Sequence, residues 1–112
     1  NIRKLIYSIE KTIIDTLYDF NIKSYADRKN IGIWNKKNNK KKKVAAIGIK
    51  VKNWIAYHGF SININNDLKS YKKIIPCGIV DRDVISLEQI KNQNYNYLNK
   101  KIIKNFIKYL KV

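Results

Sequence analysis

Apolar side chains recur at three- and four-residue steps along the start of the chain. Ile2, Leu5, Ile6, Ile9, Ile13 and Leu17 form one stripe, the period of an amphipathic helix. Lys4, Glu10, Lys11 and Asp15 lie off the stripe. Phe20 and Ile22 close the segment, with Asn21 as its end residue. The period then drops to two. IGIW, from Ile31 to Trp34, is a short strand candidate, and in VAAIGIKV Ala45, Ile47, Ile49 and Val51 alternate with Val44, Ala46, Gly48 and Lys50. The longest alternation puts Trp54, Ala56, His58, Phe60, Ile62 and Ile64 on one face and Tyr57, Gly59, Ser61, Asn63 and Asn65 on the other. NKKNNKKKK, between the first two strands, holds no apolar residue and reads as a solvated hairpin loop. Lys52 and Asn53 read as a short turn. An irregular segment from Asn66 to Val84 leads to SLEQ, where Ser86 and Gln89 fit a capping box. A last helix is expected over Tyr97 to Leu110, with Leu98, Ile102, Phe106 and Leu110 facing inward.

Helix, three strands, loop and helix, with short links between the strands, predict an α+β layer: an antiparallel sheet with helices packed on one face. Three strands are few, so the sheet is expected to take further strands from elsewhere. A length of 112 residues suits one domain and not two. No apolar run spans a bilayer, and the charges within NIRKLIYSIEK are wrong for a signal-peptide core. Asn1 is not an initiator residue, so the chain is expected to be a piece of a longer polypeptide.

The formal charge of +16 has two readings. Lys far outnumbers Arg, and Asn and Ile are abundant, as in a chain shaped by A/T-rich codons. A surface chosen for phosphate contacts would carry more of the bidentate Arg fork. The other reading is a partner of opposite charge: nucleic acid, an anionic membrane, or an acidic protein.

Three residues are candidates for chemistry. The one cysteine, Cys77, lies between the one proline, Pro76, and Gly78. With a single Cys and a single His, neither a disulfide nor a zinc cluster is expected, and a reducing, cytoplasmic setting is. Cys77 reads either as a small buried hydrophobe or as a thiol presented by a stiffened turn. In the second case Gly78 leaves room for substrate and for an N–H facing an oxyanion. Lys43 stands where the lysine-rich stretch runs into an apolar strand. It is either one more surface lysine or an acid–base group turned into a pocket. His58 is either a satisfied core histidine or a group that positions substrate.

KKVAAIGIKV, then WIAYHGFSININNDL, then IIPCGIVDRDVISLE resemble, in that order, motifs of the lipoyl(octanoyl) transferases of lipoate biosynthesis. The helix ending IIDTLYDFNI before GIW resembles that family's helix before its GVW. The resemblance covers nearly the whole chain and only the C-terminal portion of the family's domain. The family's upstream Arg-Gly-Gly and His-Gly-Pro-Gly segments do not occur here. It implies one partial domain over 1–112, with the fold of the C-terminal part of a biotin/lipoate protein ligase-like catalytic domain. It also implies transfer of an octanoyl group from acyl carrier protein to a lysine of a lipoyl domain or of the glycine-cleavage H protein, the lipoyl domains being those of 2-oxoacid dehydrogenases. Cys77 matches the acyl-thioester cysteine. Lys43 matches the lysine that activates it and shuttles protons. Ala46, Ile47 and Gly48 match one acyl-contacting stretch and Gly59, Phe60 and Ser61 another, while His58 matches the histidine of the His-Gly pair. No cofactor, metal, nucleic acid or membrane is implied. Both protein partners are acidic as a class, so a basic surface would speed encounter. The rival reading is a non-catalytic fragment or a basic nucleic-acid-binding module.

Overall fold

The computed structural model describes residues 2–52, 55–65 and 84–110, with side chains described for 2–48, 59–65 and 84–110. The Pro76–Cys77–Gly78 turn, Asn53 and Trp54 lie outside the described residues, as does the side chain of His58. The elements run α1 (Ile2–Asp19), β1 (Tyr25–Ala26), β2 (Ile33–Lys37), β3 (Lys40–Lys52), β4 (Ile55–Ile62), α2 (Leu87–Ile90) and α3 (Leu98–Leu110). The strands form one antiparallel sheet in the order β1-β2-β3-β4. The α+β layer is therefore present, with one strand more than the periodicity showed. At two residues, Tyr25–Ala26, β1 is too short for any pattern to reveal.

The stripe of α1 is buried where the period placed it: Ile9, Ile13 and Leu17 are inaccessible to solvent. The helix ends as expected at Asn21, whose φ of 62° is left-handed. Ile22 N–H donates to Leu17 O and Asn21 N–H to Tyr18 O, both at 2.9 Å, which satisfies carbonyls the helix leaves open. A second, polar seam runs beside the stripe. The hydroxyls of Ser8, Thr12 and Thr16 each donate to the carbonyl four residues back. Asn105 of α3 then donates to Thr16 Oγ1 at 3.0 Å. That buried bond explains one departure from expectation. α3 turns Leu98 and Asn105 inward, with Ile102 and Phe106 packed at the core's margin, and leaves Leu110 half exposed.

The lysine-rich stretch is the larger correction. It is not a long loop but the meeting of two strands. Asn38 and Asn39, with φ of 53° and 62°, make the whole connection. Two successive positive-φ residues are the signature of a type I′ hairpin turn, and Asn tolerates that region better than most residues. The ladder pairs Lys37 with Lys40 and Lys36 with Lys41. Like charges directly opposite are unfavourable, by roughly 0.2–1 kcal/mol per pair. Turn geometry and the sheet beyond impose the pairing on a sequence whose polarity argued for coil.

One irregularity positions everything that follows. Ile33 pairs with Ala45 but Trp34 pairs with Lys43, so Val44 is the extra residue of a β-bulge. Val44, Ala45 and Ile33 are all buried in the core with α1, Ile85, Leu87, Tyr95 and Leu98. The bulge thus turns two consecutive residues toward the helices and reverses the alternation on either side. Lys41 and Lys43 before it, and Ala46 and Gly48 after it, fall on the face opposite the helices. Ser86 N-caps α2 with the expected capping box: its N–H donates to Gln89 Oε1 at 2.9 Å, and Gln89 N–H donates to its Oγ at 3.3 Å.

Candidate active site

The face of the sheet away from the helices has a defined make-up. At its β2–β3 end Trp34 stands across the ladder from Lys43. The indole N–H donates to Asn30 O at 3.0 Å, which fixes the ring beneath the 27–32 loop. Lys43 is half-buried, and its Nζ lies 5.1 Å from the ring centre. Lys41 flanks the same ring at 4.4 Å and pairs with Asp27. That contact, with the Lys29 N–H, holds the Asp27 carboxyl well below the usual carboxylate range. Lys41 and Lys42, read from the sequence as solvated, are half-buried.

Gly32 makes room for this arrangement. Its φ is +141°, and a Cβ there would sit 2.9 Å from Lys43 Cε and 3.0 Å from Ala45 O. The Lys43 stem therefore lies directly over the Gly32 backbone. Lys43 is not one of the fully solvated lysines; its stem is bedded between glycine and indole.

Beyond the bulge the same face becomes a floor of small residues. Ala46 pairs with Ser61 and Gly48 with Gly59, and all four are exposed. Among the described residues, a Cβ at either glycine would meet nothing within 4 Å. Ile47 and Phe60 pair with one another on the opposite face and pack against the core. The two stretches singled out in the sequence are thus adjacent strand segments in register. One residue in two is presented, and Ile47 and Phe60 anchor the floor from below. His58 pairs through its backbone with Ile49.

The chain returns to the described fold beside Lys43. Val84 bridges Lys43, and Ile85 N–H donates to Lys43 O at 2.9 Å. Leu87 N–H then donates to Asn63 O and Glu88 N–H to Ile64 O. Cys77 stands seven residues before Val84 in the sequence. Sequence reasoning missed Trp34, Gly32 and Asp27. The run from Asp27 to Trp34 held the signal, since a glycine and a tryptophan opposite a lysine reach significance only once the register is known. Among the described residues no group of His, Cys, Asp and Glu is placed to hold a metal ion. No helix among them is long and apolar enough to cross a membrane.

Comparison with known proteins gives the class of this sheet and its face. The family of lipoyl protein ligase A/B catalytic domains matches residues 1–110, and the chain belongs to it. Among curated relatives, the octanoyltransferase of Zymomonas mobilis is 43% identical over 90 residues, covering 80% of this chain and 42% of that protein. The octanoyltransferase of Ehrlichia canis is 44% identical over 90 residues, again covering 80% of this chain and 42% of its own length. That of Anaplasma phagocytophilum is 37% identical over 109 residues, covering 96% and 52%. The chain spans about half the length of the curated relatives it matches.

Proposed function

We propose that the chain is the C-terminal portion of an octanoyltransferase catalytic domain, over 1–112, acting in lipoate biosynthesis. It moves an octanoyl group from octanoyl-acyl carrier protein to the ε-amine of a lysine on a lipoyl domain or the glycine-cleavage H protein, in the cytoplasm. Cys77 carries the acyl group as a thioester and Lys43 moves the protons.

The chemistry follows from these roles. The Lys43 amine takes the Cys77 proton, because a free thiol, with a pKa of ~8.5, is mostly protonated and unreactive at neutral pH. The thiolate attacks the donor's carbonyl carbon. A new C–S bond forms, the bond to the carrier's sulfur breaks, and that sulfur leaves with the proton from the Lys43 ammonium. Backbone N–H groups near Gly78 hold the oxyanion. The acceptor amine then attacks the Cys77 thioester, Lys43 takes the amine's proton, and the amide forms as the Cys77 thiolate departs. Ala46, Gly48, Gly59 and Ser61 form the surface along which the acyl chain lies. Ile47 and Phe60 support it from beneath, with His58 two positions before Phe60 in the same strand.

One observation carries this reading. A half-buried lysine shares a sheet face with the exposed small residues Ala46, Gly48, Gly59 and Ser61, and the chain re-enters on that lysine's own backbone seven residues after the cysteine. The test is incubation of the full-length protein with octanoyl-acyl carrier protein, followed by intact mass. An octanoyl adduct is expected, absent in Cys77→Ala and strongly reduced in Lys43→Ala at neutral pH. An adduct that persists in Cys77→Ala removes the thioester from the mechanism.

A further inference from the structure

The β2–β3 hairpin is an unusual object. Its two rungs next to the turn, Lys37↔Lys40 and Lys36↔Lys41, set cation against cation. Alternation sends Lys36 and Lys41 to the face that carries Lys43, and Lys37, Lys40 and Lys42 to the helix side. On the helix side these three lysines, with Asn38, Ile85 and Gln89, line a cleft of about 420 Å³. Among the described residues the hairpin's carboxylate partner is Asp27, bound to Lys41, while Lys37 Nζ donates to Gln89 O at 2.7 Å. Codon drift bears on the number of lysines, while the ladder decides which of them stand opposite one another beside the two-residue turn. Such a turn holds its charges at fixed positions, where a partner of opposite charge relieves the repulsion on binding.

We propose that this hairpin is the docking element for the acidic protein domain that delivers the acyl thioester. The inference rests on the octanoyltransferase reading. Continuity favours it. β3 runs without interruption from Lys40 through Lys43 to the Ala46–Gly48 floor, so a domain seated on the hairpin holds its thioester at the edge of that floor. Nucleic acid is disfavoured because the aromatic ring among these lysines, Trp34, is buried beneath their stems and offers no stacking platform. Electrostatic docking of this kind acts on encounter and weakens with salt.

The decisive variant is Lys36→Glu/Lys40→Glu in the full-length protein. It turns both like-charge rungs into opposite-charge rungs, so the hairpin holds at least as well and a loss of docking is not a loss of fold. Lys100→Glu/Lys104→Glu, on exposed positions of α3, makes the same change in net charge elsewhere. The readout is kcat/KM for octanoyl-acyl carrier protein divided by that for the uncharged octanoyl thioester of N-acetylcysteamine. The hairpin variant is expected to lower this ratio at least tenfold at low salt, with the difference shrinking at 0.5 M salt, where the screening length is about 4 Å; the α3 variant leaves it unchanged. An unchanged ratio, or an equal fall in both variants, overturns the proposal. If the parent protein transfers from neither donor, the transferase reading fails, and docking is then judged by anisotropy of labelled carrier protein. Binding weakened tenfold only in the hairpin variant supports the docking surface, and equal binding removes it. Loss of single-stranded oligonucleotide binding with carrier binding intact assigns the hairpin to nucleic acid and overturns the proposal.

Discussion

Trp34 and Lys43 face each other across the β2–β3 ladder, and the lysine amine lies 5.1 Å from the centre of the indole. The ring is locked by its bond to Asn30 O, so the amine rests on a fixed platform. A cation over an aromatic face gains about 0.5–1 kcal/mol at exposed sites. Trp34→Phe keeps a ring and loses the indole hydrogen bond, at an expected cost of about 1 kcal/mol. Trp34→Ala removes the platform at about 3–5 kcal/mol. Denaturant curves check the stabilities. At a temperature where both variants are folded, acyl transfer should fall at least tenfold in Trp34→Ala and no more than about threefold in Trp34→Phe, each tenfold being about 1.4 kcal/mol.

Gly32→Ala places a methyl 2.9 Å from Lys43 Cε at a backbone φ of +141°. The strained backbone costs on the order of 1–3 kcal/mol, and the Lys43 stem must leave its bed. Melting temperature and transfer rate should both drop. A variant that melts lower yet transfers at the parental rate would show that the bed is irrelevant to the amine's work.

Gly48→Val tests the floor. Among the described residues a Cβ there meets nothing within 4 Å, and a β-branched residue suits a strand better than glycine. Stability is expected to stay level or rise. Octanoyl transfer should fall while transfer of a butanoyl group falls less, as competition assays with the two donors would reveal. Equal transfer of both chains by variant and parent separates this face from the acyl group.

The Asn38–Asn39 turn predicts a stabilising change. Glycine enters the left-handed region without the Cβ penalty, so Asn39→Gly should gain about 0.5–1 kcal/mol. Asn38→Ala should lose about 1–2 kcal/mol. Urea midpoints of the two variants should move in opposite directions. A gain from the alanine would contradict the positive φ at that position.

Tyr109 carries a pH signature. Its hydroxyl donates to the Asp15 carboxylate of α1. That bond, foremost, and burial push the phenol up to about 12. A raised acid favours its protonated form in the folded state. The tie between α3 and α1 is therefore fully present below the unfolded value near ~10 and is lost as pH climbs from there toward about 12. Absorbance titration of the tyrosinates should show one component near that upper limit, returning toward ordinary values in Asp15→Asn.

Several elements were legible because their signals are local. The stripe of α1, its stop at Asn21 and the capping box at Ser86 depend on residues within five positions of one another, and the structure repeats them. The alternation of β3 from Ala45 to Gly48 showed which of those residues share a face, while Val44, read as facing away from Ala45, joins it in the core. The hairpin was misread for an equally physical reason. Polarity argues for coil only when no sheet stands ready to extend, and here β3 continues the apolar strand outward through four charged positions, Lys40 to Lys43. Leu110 was misplaced because Asn105, bonded to Thr16, fixes the rotation of α3.

By itself the sequence determined an α+β layer, the ends of its helices, and the motifs of a family to which the chain belongs. Only the tertiary structure decided which way the residues around Lys43 face. The phase of a strand relative to its neighbours is set by the pairing partner. One extra residue, Val44, accepted opposite Ile33, swings Val44 and Ala45 into the core and leaves Lys43, Ala46 and Gly48 together on the face away from the helices.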